Sequence, residues 1–236
     1  MRQHIQFDLK GILHELDVLE KVQLPYAANR ALKDFGFYAK RFLAEEMRKE
    51  FDNPVPFTTR SPYFKMGDLE VSIGINDTAP KGRSPAEYLE PMIREPGVGR
   101  KQQRVTRFAG ALQRQGITYG IPSPNRQAAA AILNQFGNIR PSQYTQALGG
   151  LGALSMAGAS RNRNGRWFVI QPDSQSHLSQ GIYRAKGADL SNVWSLASAP
   201  KAVTPKFDLY GLLWEEAEDQ LPGMLSKRLN QALGGS

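Results

Sequence analysis

Apolar residues recur along this chain at two spacings, every second position in some stretches and every third or fourth in others. In residues 3–9, Ile5, Phe7 and Leu9 fall on one side, which predicts a short strand. Ile12, Leu13, Leu16 and Leu19 make the stripe of a helix that follows. From 25 to 51, Ala28, Ala31, Phe35, Tyr38, Phe42 and Met47 predict a long amphipathic helix. Pro25 lies near its start, where a missing N–H costs little. Its outer face carries Arg30, Lys33, Asp34, Lys40, Arg41, Glu45, Arg48 and Lys49. Residues 53–62 hold three prolines and are expected to be extended. They serve either as an ordinary connection or as a stiff arm along a neighbour's sheet edge. Residues 63–66 and 69–75, on either side of Gly67-Asp68, read as a hairpin with Leu69, Val71, Ile73 and Ile75 facing in.

The second half alternates less regularly. Ser84-Pro85-Ala86-Glu87 has the form of a capped helix start. A short helix to about Arg94 follows, and Pro96-Gly97 breaks it. Val105, Phe108, Ala109 and Leu112 predict a helix over 101–115. Residues 117–124 are extended, 125–136 are helical with a stop at Gly137-Asn138, and 141–148 form one or two helical turns. The Gly-, Ala-, Ser-, Asn- and Arg-rich stretch 149–165 is expected to be a loop. Three strands are expected at 166–171, 181–186 and 192–199. A final helix over 207–233 has Phe207, Tyr210, Trp214, Ala217, Leu221, Leu225 and Leu229 as its stripe, interrupted at Pro222-Gly223.

The expected fold class is α+β: one mostly antiparallel sheet packed against two long amphipathic helices, with a helical and loop insertion in the middle. In domain terms, 1–83 and 166–236 form one α+β domain, and 84–165 is a basic insertion. Phe35, Phe42, Trp167, Trp194 and Trp214 are the candidate core or interface anchors.

Charge adds to this picture. The 236 residues carry 30 basic and 22 acidic side chains, a formal net charge of +8. From Pro96 to Pro172 there is no Asp or Glu, yet ten Lys or Arg side chains lie there. Such a region either faces water or meets an external anion. Arg100, Lys101, Arg104, Arg107, Arg161, Arg163 and Arg166 are the candidate contacts. Their partner is either acidic protein surface or nucleic-acid phosphate. Aromatic residues suited to stacking on bases are sparse there: Phe108, Tyr119, Phe136 and Tyr144.

Reaction chemistry is little represented. His4, His14 and His177 are far apart, and no two histidines stand at metal-ligand spacing. The chain has no cysteine, which excludes disulfides and thiolate metal sites. Paired carboxylates at Glu45-Glu46, Glu215-Glu216 and Glu218-Asp219 lie on polar helix faces. No nucleophile elbow or Gly-rich phosphate loop stands in the required strand-to-helix context. Without a signal-peptide pattern or a run near the ~18 apolar residues of a membrane span, a soluble intracellular protein is expected.

Taken in order, several motifs resemble the tail-completion, or minor tail protein Z-like, proteins of tailed bacteriophages. They are Pro25-Tyr26-Ala27-Ala28-Asn29-Arg30-Ala31-Leu32, Pro56-Phe57-Thr58-Thr59-Arg60-Ser61, Gly137-Asn138-Ile139, Arg166-Trp167-Phe168-Val169 and Gly181-Ile182-Tyr183-Arg184. The amphipathic helix from Phe207, after an extended 197–205, completes the set. The resemblance implies a structural virion protein and not an enzyme, with no cofactor. It implies a ring, commonly of six copies, at the neck where tail meets head. Its partners would be portal, adaptor or tail proteins and the phage DNA in the channel, with no membrane. Its location would be the virion, after assembly in the host cytoplasm. A nonspecific nucleic-acid-binding protein using residues 96–172 is the alternative.

Overall fold

The computed structural model describes residues 4–8, 23–80, 82–94, 101–102, 106–125, 132–153, 165–171, 173–199 and 202–232. The expected helix at 12–19, the break at 96–99 and most of the 149–165 loop lie outside them. The chain is α+β, as its periodicities predict. It divides into two compact units, one built from Met1–Lys101 with Val203–Ser236 and the other from Gln102–Ala202. Strands β4 (Lys101–Gln102) and β9 (Ala202–Val203) form a two-stranded pair.

The first unit holds β1 (His4–Asp8), α1 (Gln23–Glu50), the single turn α2 (Pro56–Thr59), β2 (Pro62–Gly67), β3 (Glu70–Ile75), α3 (Pro85–Leu89) and α6 (Leu209–Ala232). Its three strands form an antiparallel sheet in the order β1-β3-β2. Alternation puts Val71, Ile73 and Ile75 of β3 into the core. They pack with Leu32, Phe35, Ala39, Leu43 and Met47 of α1 and with Leu209, Leu213 and Ala217 of α6. The hairpin turns at Leu69, whose φ of 51° is left-handed and strained for a branched side chain. Asn29 Oδ1 accepts the Leu69 N–H at 2.9 Å and ties this turn to α1.

The second unit holds α4 (Arg107–Arg114), β5 (Ile121–Pro124), α5 (Pro141–Gly150), β6 (Arg166–Ile170), β7 (Gly181–Lys186) and β8 (Asp189–Ala197). Its four strands form a second antiparallel sheet, in the order β5-β8-β7-β6. Trp167, Ile182, Val193, Trp194 and Leu196 from the sheet join Phe108 and Leu112 of α4 and Ala147 of α5 in a separate core. At Gly150, an added Cβ would come within 2.5 Å of the Trp167 ring, so only glycine allows this approach of helix to indole.

Several expectations are corrected. The strands after residue 165 do not join the first sheet; each sheet has its own core, and the unit boundaries fall at 101/102 and 202/203 instead of 83/84 and 165/166. Residues 53–62 are not an extended arm. Two prolines can flank a helical turn as easily as a strand, and Pro56 sits at the first position of α2. Pro62 already belongs to β2, which pairs within its own sheet. The helix expected over 101–115 begins only at Arg107, after the Thr106 cap, whose Oγ1 accepts the Ala109 N–H at 3.2 Å. Of the helix expected over 125–136, residues 126–131 lie outside the described residues; Ile132 is helical, but 133–136 turn back on themselves, with Asn134 Oδ1 accepting from the Phe136 and Asn138 N–H groups. Helix α6 runs unbroken through Pro222.

Candidate functional site

In the second unit, charge and core separate cleanly. Residues Gln102–Ala202 contain eleven basic and two acidic side chains, a formal charge of +9, which leaves −1 for the first unit. The two acids, Asp173 and Asp189, are exposed. The ion pairs Lys49–Glu46, Arg94–Asp208 and Arg228–Asp34 all lie in the first unit.

Arg107 stands exposed in the first turn of α4, a turn with no acidic residue. A cation there opposes the helix dipole, so nothing local favours it. Arg166 opens β6 and is exposed, opposite Ala185 of β7. Neither guanidinium has a carboxylate partner among the described residues. Lys101 lies in β4. Arg100, Arg104, Arg161 and Arg163 lie outside the described residues.

Alternation along the hairpin sorts the rest. Trp167, one residue on from Arg166, points into the core and is 5% exposed. The Arg184 guanidinium lies 5.7 Å from its ring centroid, a cation–π contact across the Trp167–Arg184 register pair. Arg140 is exposed, and its Nε donates to the Leu133 carbonyl at 3.1 Å. Of the aromatics in this region, Phe108 and Tyr144 are spent in the core. They pack on Trp194 at centroid distances of 4.8 and 5.5 Å. Burial pushes the Tyr144 phenol up, against a lowering hydrogen bond with Trp194. Tyr119 is instead 83% exposed.

The anchors divide by the same test. Phe35 and Trp194 are fully buried, Trp167 nearly so, and Phe42 is half-buried against the first core. Trp214 is not a core residue: it is 58% exposed, and its Nε1 donates to Glu218 Oε1 at 2.8 Å. The buried stripe of α6 is Leu209, Leu213 and Ala217, one position before the expected Tyr210 and Trp214.

One feature of the first unit was not singled out from sequence. An open cleft of about 640 Å³ lies between α1 and the segment joining α2 to β2. Lys40, Arg41 and Arg48 from α1 and Arg60 line it, with Phe37, and no acidic residue does among the described residues. In sequence the three α1 cations look like an ordinary solvated helix face, because Arg60 joins them only through the fold. No group of three or more His, Asp or Glu is placed to hold a metal among the described residues. No described helix is long and apolar enough to cross a membrane.

The molecule is thus an α+β protein of two units, one nearly neutral and one strongly basic. Compared with known proteins by sequence and by fold, it matches no family model, no curated protein and no solved structure.

Proposed function

We propose that this chain is a structural subunit of a tailed-phage virion, acting in tail completion at the neck. Copies form a ring, of six by the resemblance, next to portal, adaptor or tail proteins and around the channel that the genome crosses. This reading assigns the chain no reaction and no cofactor. The observation that supports it is the charge carried by one unit, +9 within Gln102–Ala202, with Arg107 and Arg166 exposed and lacking carboxylate partners among the described residues. A folded unit of one sign is attracted to a polyanion over many ångströms and needs no sequence-reading contacts to hold it. Among the motifs behind the resemblance, residues 166–169 lie in β6 and 181–184 in β7, whereas Gly137-Asn138-Ile139 lies in a turn.

A map of an intact virion neck tests this. The expected result is a ring of this chain at the head–tail junction with the basic unit facing DNA or an acidic neighbouring ring; its absence from the neck would overturn the reading. A second reading, nonspecific nucleic-acid binding in another setting, is favoured by Tyr119, whose exposed ring offers a stacking face in the basic unit. Direct phosphate contact predicts an affinity for duplex DNA that falls with salt, with a log–log slope of about −0.9 per phosphate. Replacing Arg107 and Arg166 with Glu should make that slope shallower. No binding at low salt would remove this second reading and leave the neck reading standing.

A further inference from the structure

We propose that the basic cleft of α1 docks the acidic outer face of α6 on a second copy of this chain. The cleft gathers four cations from two separate elements. Lys40, Arg41, Arg48 and Arg60 are all exposed, and none has a carboxylate partner among the described residues. Phe37, 51% exposed, gives the same cleft an apolar wall. Its chemistry suits a partner with several carboxylates beside an aromatic group.

Helix α6 carries that combination. Glu215, Glu218 and Asp219 are exposed on its outer face and have no cationic partner among the described residues. Trp214 lies beside them, with its Nε1 held to Glu218. The two surfaces of one copy do not satisfy each other. On α1, the residues that bond to α6 are Asp34, paired with Arg228, and Tyr38, which donates to Glu216. With 100° between successive residues, Arg41 and Arg48 lie about 20° and 40° round α1 from Asp34, and Phe37 and Lys40 about 60° and 120°, all on the side away from Tyr38; none of these cations pairs with an α6 carboxylate among the described residues. A cleft on one copy and a ridge on the next form a heterologous contact, which generates a closed ring or an open filament.

Exposed ion pairs alone are weak. The strength is therefore assigned to Trp214 seated against the arginines and Phe37, since Trp and Arg dominate interface energetics. The inference deepens the ring reading above by naming the contact between copies, and it is decided by mass in solution and not by location in the virion.

Charge exchange tests it on the full chain, by light scattering and sedimentation at rising concentration. The unaltered chain is expected to self-associate. Arg41→Glu with Arg48→Glu should weaken association by about tenfold or more, as should Glu215→Lys with Glu218→Lys. Mixing the two variants, or combining all four changes in one chain, should restore it. The milder Trp214→Ala and Arg48→Ala, checked for fold by circular dichroism, should each weaken association alone. A chain that stays monomeric throughout, or variants that leave the mass unchanged, would overturn the docking. So would a cleft reversal that abolishes duplex-DNA binding without altering the mass, which would assign the cleft to nucleic acid. None of these outcomes touches the neck reading, which the virion map decides.

Discussion

Gly36 shows how a residue's role depends on what lies beside it. In the middle of α1 a glycine costs up to ~1 kcal/mol relative to alanine. Here an added Cβ would come within 2.5 Å of the Phe64 ring, which also packs edge-on against Phe37. Gly36→Ala is therefore expected to destabilise by about 1–3 kcal/mol, overpacking outweighing propensity. Urea denaturation checks this, and a stabilised variant would mean that Phe64 moves aside freely. The tryptophans supply a second contrast. Trp194 is 1% exposed at the centre of an aromatic cluster, whereas Trp214 is 58% exposed. Trp194→Ala should cost about 3–5 kcal/mol. Trp214→Ala should change the monomer's stability by about 0.5 kcal/mol or less. Equal losses would show that exposure in the monomer does not govern Trp214.

At the scale of elements, α1 and α6 are joined by polar bonds on the rim of their apolar contact. Arg228 reaches Asp34 with two donors, Nε at 2.6 Å and Nη2 at 2.9 Å. Tyr38 donates to Glu216. That bond to a carboxylate, with burial and the charge of Glu216 added, pushes the Tyr38 phenol up to about 12 from an ordinary 10.0. A phenol that keeps its proton longer in the folded chain favours folding fully below pH 10. This contribution is lost as pH rises from about 10 to 12, because the unfolded chain ionises first. Stability to urea should therefore fall across that window, and Tyr38→Phe should make the fall shallower. It should not abolish it, since burial also raises Tyr88 and Tyr144. An identical alkaline profile for the variant would show that the Glu216 bond does not shift Tyr38.

For the whole molecule, two cores in one chain predict two cooperative transitions. Residues 102–202 are continuous and enclose their own core, so this segment expressed alone should fold, with Trp167 and Trp194 reporting through near-ultraviolet circular dichroism. A single transition for the full chain, with an unfolded isolated segment, would refute this independence. The charge division between units follows the same boundaries. The acid-free stretch 96–172 was legible from residue order, but the strands at 181–186 and 189–197 add Arg184 and Lys186 to the basic unit only through sheet pairing.

By itself, the sequence determined the α+β class, both long helices, the β2–β3 hairpin, the Ser84 cap and the three late strands. Those are local effects: side-chain periodicity, cap chemistry and turn residues act within a few positions. It also located the basic region, because formal charge does not depend on conformation. Tertiary structure decided which sheet each strand joins and which side of each helix is buried. On α1, Leu32, Ala39 and Leu43 are fully buried while Tyr38 and Phe42 lie at the edge, and both sets fit a helical stripe. Tertiary structure alone also brought Arg60 to Lys40, Arg41 and Arg48. Strand partners and clefts come from contacts between residues distant in the chain, and local periodicity carries no record of them.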